Sequence, residues 1–156
     1  MTESIYTPFY LATSEVFKLL LDLEVKAGSP ELLHHIADEE DKVNIVIGIT
    51  GDIEGEILYR FPKETTLEMV KIMSGMDFPE VDSFVTSALG EIANIISGNA
   101  VTGLSKRRMT CDISPPRVIV GGGETLDTQS TIPIIALKVQ TAIGEVKLNM
   151  QLQEKK

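Results

Sequence analysis

Hydrophobic and polar positions divide the chain into helical and extended segments. Apolar residues recur at helical spacing through "FYLATSEVFKLLLDLEV", where Thr7-Pro8 predicts the N-cap and first helical position and Gly28 predicts the stop. A short amphipathic helix is predicted in "KETTLEMVKIMSG", ended by Gly75. A long helix is predicted from about Glu80 to Leu104, with Asp82 or Ser83 near its N-terminal end.

The segments outside these helices have the alternation typical of strands. "KVNIVIGITGDIEGEILYRF" contains two β-rich runs around a glycine-containing turn, which predicts a hairpin. "TIPIIALKVQTAIGEVKLNMQLQ" predicts a second hairpin. Shorter extended runs, "MTCDI" and "PRVIV", lie between the long helix and that second hairpin.

The two halves of the chain resemble each other. The aligned segments are "GEILYRF" (Gly55–Phe61) with "GEVKLNM" (Gly144–Met150), and "ATSEVFK" (Ala12–Lys18) with "ALGEIAN" (Ala88–Asn94). A duplicated helix-plus-β-hairpin unit would join its strands into one mainly antiparallel, six-stranded sheet covered by two long helices and a short one. The sequence therefore predicts an α+β fold, with residues 1–156 forming one domain.

Composition and charge narrow the classes of function. The formal net charge of −9 and pI near 4.7 would repel a phosphate backbone, so no nucleic-acid partner is expected. No run approaches the roughly 20 apolar residues of a membrane helix, and the N-terminus lacks signal-peptide features, so a cytoplasmic protein without membrane contact is expected. Cys111 is the single cysteine, and we expect it to be a buried structural residue. We expect no metal site.

The long helix has two distinct faces. The apolar face is predicted to contain Val85, Leu89, Ile92, Ala93, Ile96 and Ala100. The other face, called here the polar stripe, contains Ser83, Ser87, Glu91, Asn94, Gly98 and Thr102. The simplest interpretation of the stripe is the solvent side of an amphipathic helix.

The composition of the polar stripe favours a second interpretation. It contains Ser, Asn and Thr where an ordinary exposed face would carry Lys, Glu and Arg. Gly98 lies in the stripe and Gly90 borders it, and each costs about 1 kcal/mol of helix stability relative to Ala while removing bulk. A smooth surface with one carboxylate and one carboxamide suits docking of another macromolecule. Glu91 and Asn94 have no nucleophile or second carboxylate beside them, so they are not a self-sufficient hydrolase site. They could act if a partner supplied the metal and the activated phosphoryl group.

The pattern Ser87-x-x-x-Glu91-x-x-Asn94, followed by "IISGNAVTGLS", closely resembles the signature helix of the CheC/CheX/FliY family of bacterial chemotaxis phosphatases. The resemblance extends to "GITGDIEGEI", "MVKIMSGM" and "SPPRVIVGGG", so it covers most of the chain. It implies a phosphatase that dephosphorylates the aspartyl phosphate of a CheY-type response regulator, with no cofactor of its own and with Mg²⁺ bound in the receiver domain.

The resemblance also implies roles for individual residues. Asn94 would position the attacking water, Glu91 would pair with the receiver lysine, and Ser87 and Gly98 would belong to the partner-docking surface. Two alternatives remain open. The chain could be a non-catalytic module that binds a receiver, a flagellar switch or a receptor array, or it could be a structural dimerisation domain whose polar stripe is merely solvated.

The first helix carries a degraded copy of the pattern. Leu11, Glu15 and Lys18 replace Ser or Asp, Glu and Asn, and a lysine cannot both donate and accept hydrogen bonds as an amide does. The first copy should therefore be inactive. One active helix is similar to the CheX branch of the family, which implies a homodimer formed through the β-sheet edge.

Overall fold

The computed structural model describes residues 4–34, 41–121, 126 and 130–155. The helices in these parts of the chain are α1 (Thr7–Leu21), α2 (Lys63–Ser74) and α3 (Ser83–Ser105). The strands are β1 (Lys26–Ala27), β2 (Glu31–Leu33), β3 (Lys42–Gly51), β4 (Ile53–Pro62), β5 (Cys111–Ile113), β6 (Arg117–Val120), β7 (Ile134–Thr141) and β8 (Gly144–Glu154). The predicted α+β class, with two long helices and a short one, is confirmed.

All strands pair antiparallel in one sheet, in the order β1-β7-β8-β4-β3-β5. In addition, β2 pairs with β7 and β6 pairs with β3. The six predicted strands are present as β3 to β8, and the described residues add two strands that were not predicted, β1 and β2. Each outer position of the sheet thus holds two short strands. Both interruptions contain proline, at Pro30 and at Pro115-Pro116, and proline has no N–H to donate to a sheet ladder.

The topology supports the predicted duplication. Each half runs helix, two short edge strands, then a long hairpin, and the edge strands of one half pair with the hairpin of the other. Tyr59 and Leu148, which occupy equivalent positions in the two halves, face each other across β4 and β8. The aligned glycines share a left-handed backbone, with φ of +144° at Gly55 and +137° at Gly144. A Cβ atom at Gly55 would lie 1.9 Å from the carbonyl oxygen of Gln151, so this strand start requires glycine.

The helices pack on one face of the sheet and form the main core. Because side chains alternate along a strand, odd-numbered residues of β3 and β4 point to this face. The fully buried residues of these strands on this face are Val43, Ile45, Ile47, Ile53, Ile57, Tyr59 and Phe61. On the opposite face, Val46, Leu58 and Ile134 form a smaller cluster with Leu126. The sheet is thus the common support for all three helices.

The ends of the helices follow their capping residues. Asp82 accepts a hydrogen bond from the N–H of Val85 at 3.0 Å and is the N-cap of α3, so the helix begins at Ser83, about three residues after the predicted start near Glu80. Gly75 ends α2 with φ of 74°, as predicted. The prediction for α1 was wrong at both ends. Tyr6 is the N-cap, and the helix stops at Leu21 because Asp22 turns left-handed with φ of 53°.

Two further observations concern Cys111 and membrane-spanning helices. The thiol of Cys111 is buried, with 6% of the residue exposed, which confirms its predicted place in the core. In the parts of the chain that the structure describes, no helix is both long enough and apolar enough to cross a membrane.

A buried hydrogen bond joins α3 to the centre of the sheet. The Tyr59 hydroxyl and the Ser97 hydroxyl lie 2.8 Å apart, and both side chains are fully buried. Burial raises the pKa of Tyr59 well above its ordinary value of 10.0, and the bond with Ser97 offsets only part of that shift. Since Ser97 lies on α3 between Asn94 and Gly98, this bond fixes the rotation of the helix where its outer face carries the candidate site.

We predict that Tyr59→Phe lowers the free energy of unfolding by about 1–2 kcal/mol at neutral pH, the value of one buried hydrogen bond. Above a pH of about 10 the unfolded wild type ionises this phenol while the folded state keeps it neutral, so wild-type stability falls. The Phe variant lacks this loss. Urea unfolding at pH 8 and pH 11 should therefore show a smaller difference between the two proteins at the higher pH.

Tyr10→Phe is the control for this comparison. Tyr10 is half-buried, and its hydroxyl has no hydrogen-bond partner among the described residues. This substitution should change the free energy of unfolding by less than about 0.5 kcal/mol. A stability difference between wild type and Tyr59→Phe that stays constant from pH 8 to pH 11 would contradict the prediction.

Candidate functional site

The long helix α3 presents the candidate site because its inner face is entirely committed to the core. The predicted apolar face is confirmed, with 0–1% exposure at Val85, Leu89, Ile92, Ala93, Ile96 and Ala100. The polar stripe is on the opposite side, and all six of its residues are exposed or half-buried. The rotation of the helix therefore places the whole stripe at the surface.

Glu91 and Asn94 lie next to each other on this surface. Glu91 is exposed and Asn94 is half-buried, and a spacing of three residues on a helix places their side chains on the same face. Among the described residues, neither side chain has a hydrogen-bond or ion-pair partner. The carboxylate and the carboxamide are thus both unengaged and able to bind an approaching molecule.

The neighbours of this pair keep the surface low. Ser87 is exposed one turn before Glu91, and its hydroxyl has no partner in the described part of the chain. Gly98 lies one turn after Asn94, and a Cβ atom there would meet none of the described residues within 4 Å. Packing within the described part of the chain therefore gives no steric reason for glycine at this position. Thr102 donates to the Gly98 carbonyl oxygen at 3.1 Å and so bonds within its own helix.

Gly90 has a different role from the one its position suggested. It is buried, and an added Cβ would lie 3.4 Å from Cγ of Pro116 and 3.7 Å from Cγ2 of Val118. The interpretation of Gly90 as part of the open surface was therefore wrong. Gly90 therefore faces β6 and the residue before it, and an added Cβ would make ordinary van der Waals contacts there.

The equivalent face of α1 lacks the unengaged amide. Lys18, at the position that corresponds to Asn94, lies 3.0 Å from Glu24 and 3.5 Å from Asp22. The hydrogen bond and charge of Glu24, and then the charge of Asp22, raise the pKa of Lys18. Leu11, at the position of Ser87, is 55% exposed. The first copy is therefore a surface whose cation is already paired within the chain.

An open groove of about 540 Å³ lies at the surface between α1 and α3. Leu11 and Glu15 of α1 line one side, and Asn99 and Thr102 of α3 line the other. The groove thus borders the C-terminal half of the polar stripe, while Glu91 and Asn94 lie outside it. The pair is on an open helix surface.

The chemistry of the pair depends on what a partner brings. No three His, Cys, Asp or Glu side chains are grouped as metal ligands within the described residues. A carboxamide can donate and accept hydrogen bonds at once, which suits it to holding a water molecule in a fixed orientation. A carboxylate accepts only, so Glu91 suits a cationic group. The arrangement can position a water and a cation around a reactive group that belongs to another molecule.

One feature of this surface was missed by the sequence analysis. Phe84 is 55% exposed and stacks on Phe78, with ring centroids 5.1 Å apart and planes inclined by 12°. It lies seven residues before Glu91, which on a helix means two turns earlier on the same face. That spacing was the available signal, but the stripe was defined by its small and polar residues.

Comparisons with known proteins identify the family of the chain. The family described as chemotaxis phosphatase CheX matches residues 43–140 of the chain. The CheY-P phosphatase CheX of Thermotoga maritima is 38% identical over 108 residues, which are 69% of this chain and 69% of that protein.

Solved structures extend the likeness over nearly the whole chain. The chemotaxis protein CheX of Desulfovibrio desulfuricans has a TM-score of 0.84 and 33% identity, covering 96% of this chain and 99% of that one. The CheX–CheY–BeF3–Mg²⁺ complex of Borrelia burgdorferi matches with a TM-score of 0.74 and 26% identity, covering 97% of this chain and 99% of that one. The resemblance to the CheC/CheX/FliY family is confirmed, and the chain belongs to the CheX family of chemotaxis phosphatases.

Proposed function

We propose that this protein is a phosphatase that removes the phosphoryl group from the aspartyl phosphate of a CheY-type response regulator and so terminates its signal. The observation that carries the proposal is the unengaged pair of Glu91 and Asn94 on the exposed face of α3, in a chain of the CheX family. The relative from Thermotoga maritima is a CheY-P phosphatase, which supports the reaction class.

The reaction needs little covalent help from the protein. Water attacks phosphorus, the bond between phosphorus and the aspartyl oxygen breaks, and inorganic phosphate and a free aspartate carboxylate are released. The leaving carboxylate has an ordinary pKa of about 4, so it departs without a proton donor. The water's protons remain with the phosphate and the solvent. A site without an acid–base pair is therefore sufficient for this chemistry.

Asn94 supplies the positioning in this proposal. Its carboxamide would hold the attacking water in line with the bond that breaks, which converts a random encounter into an oriented attack. As a neutral group, it does not add negative charge next to the phosphoryl oxygens. Aspartate at this position would repel them at short range.

Glu91 would bind the receiver lysine that otherwise contacts the phosphoryl oxygens. The Mg²⁺ ion would be bound by the receiver, as the complex of the Borrelia burgdorferi relative suggests, and would neutralise charge on the phosphoryl group. This protein itself would need no cofactor. A substrate of this class also implies a cytoplasmic protein.

We further propose that the protein forms a homodimer through a sheet edge. Each edge of the sheet bears an exposed apolar side chain, Leu32 on β2 with 56% exposure and Val120 on β6 with 45%. Two short edge strands at either side leave backbone groups open to pairing with a second sheet.

We expect a mass of about two chains in sedimentation velocity at micromolar concentration. A single-chain mass throughout that range would contradict the dimer.

We predict that Asn94→Ala reduces the acceleration of receiver dephosphorylation at least about a hundredfold, because misplaced reacting groups cost that much. The fold should survive, since the side chain makes no hydrogen bond in the described part of the chain. The measurement is the rate of phosphate loss from a phosphorylated CheY-type receiver with Mg²⁺, at several concentrations of this protein.

The helix and its duplicate offer matched controls for this experiment. Asn99→Ala removes the same amide from an exposed position of α3 outside the polar stripe, and it should leave the rate unchanged. Glu91→Gln should slow the reaction, whereas Glu15→Gln, the same change in the degraded copy, should not. Wild-type turnover in Asn94→Ala would reject its assignment. Receiver binding without turnover by the wild type would instead favour a non-catalytic binding module.

Two substitutions of Gly98 test its role, one through stability and the other through receiver binding. Gly98→Ala should raise the free energy of unfolding by up to about 1 kcal/mol, because alanine is the better helix former and its methyl group would meet nothing within 4 Å among the described residues. Gly98→Gln, which adds bulk next to Asn94, should weaken receiver binding at least about tenfold. Thermal unfolding and receiver titration measure the two effects.

Asn99→Gln is the control for added bulk, since it enlarges an exposed side chain outside the polar stripe. This variant should bind the receiver as the wild type does. If Gly98→Gln also binds and turns over the receiver normally, Gly98 lies outside the docking surface.

A further inference from the structure

The stacked pair of Phe78 and Phe84 forms an aromatic platform at the N-terminal end of α3. Phe78 is half-buried and packs against the core, so it is the fixed base of the pair. Phe84 lies over it, with ring planes inclined by only 12°, and keeps 55% of its surface exposed. Stacking thus holds the outer ring in place while its free face remains in solvent.

The platform is continuous with the candidate site. Phe84 and Glu91 are two helical turns apart on one face, about 10 Å along the axis at 1.5 Å per residue. Ser87 lies between them and is small and exposed. A partner that reaches Asn94 and Glu91 along this face would also cover Phe84.

Exposed carboxylates lie before and after Phe84 along the chain. Glu80 and Asp82 immediately precede α3, and Asp82 also caps the helix. Glu91 lies at the other side of the platform, along the stripe. Asp77, by contrast, is engaged with Lys71 at 3.2 Å. The surface is therefore an apolar centre with an acidic margin, the pattern of an interface anchor within a polar rim.

We propose that Phe84 is the apolar anchor by which this protein binds its phosphorylated receiver domain. The proposal rests on the proposed function, because it takes the receiver to dock along α3. The ring contacts an apolar side chain of the receiver near the phosphorylated aspartate, and basic side chains around that contact face Glu80 and Asp82. Phe84 is a binding residue in this scheme, and Asn94 and Glu91 act on the reacting groups.

Steady-state kinetics separate these roles. Phe84→Ala should raise KM for the phosphorylated receiver about tenfold and leave kcat within about twofold, because removing a rigid aromatic contact weakens binding without moving the reacting groups. Asn94→Ala should have the opposite signature, with kcat lost and KM little changed. Titration with the receiver loaded with beryllofluoride and Mg²⁺ should show the same tenfold weakening for Phe84→Ala.

Two further variants test whether the effect belongs to the apolar surface. Phe84→Leu keeps an apolar side chain and should restore KM to within about threefold of wild type, whereas the helix-compatible Phe84→Gln should resemble Phe84→Ala. Leu19→Ala is the matched control, because Leu19 is an 83% exposed apolar residue on α1. It should leave both constants unchanged.

The outcomes distinguish the two proposals. A wild-type protein that does not accelerate dephosphorylation of any receiver overturns the proposed function. A wild-type protein that does so, together with wild-type KM in Phe84→Ala and Phe84→Gln, overturns only the role of Phe84. A loss of kcat at unchanged KM in these variants also overturns it, since an anchor acts on binding.

Discussion

The rotation of α3 about its own axis is the constraint on which the rest of the structure depends. Six apolar residues on one side of the helix are almost completely buried, and the bond between Tyr59 and Ser97 fixes the same orientation from the centre of the sheet. A rotation by one residue, about 100°, would move Glu91 towards the core. Burying an unpaired carboxylate costs several kcal/mol, so core packing and the surface site select one rotation together.

The duplication explains why this rotation is so well determined. Tyr59 lies where the two halves meet, opposite its equivalent Leu148, so α3 is anchored at the junction of both hairpins. The two helices then differ at their surfaces. Lys18 is neutralised within the chain by Glu24 and Asp22, whereas Asn94 has no partner among the described residues. Both helices support the fold, but only one keeps its polar groups available.

Much of the fold and of the candidate site could be predicted from the sequence, because these features follow from the periodicity of apolar and polar residues. The inner face of α3, both hairpins and the duplication all repeat at fixed spacing over many residues. The end of α1 could not be predicted, because a single left-handed residue, Asp22, stopped the helix and no glycine marked the place. The unpredicted edge strands β1 and β2 are only two and three residues long, too short for a pattern. Phe84 was missed because the polar stripe was defined by its small and polar residues. Its stacking on Phe78, a contact between α3 and the segment before it, has no periodic pattern in the sequence.

Gly98 and Phe84 share a property that the isolated chain does not explain. The glycine weakens a helix in which an alanine would fit, and the phenylalanine keeps more than half of its surface in water. Each lies on the same face as an unengaged Glu91 and Asn94. The proposed docking of a receiver would explain all four residues, because such a partner would need clearance at Gly98 and apolar contact at Phe84. Because that partner would also bring the activated phosphoryl group, the chain's own contribution reduces to shape and orientation, which a rigid helix supplies better than a loop.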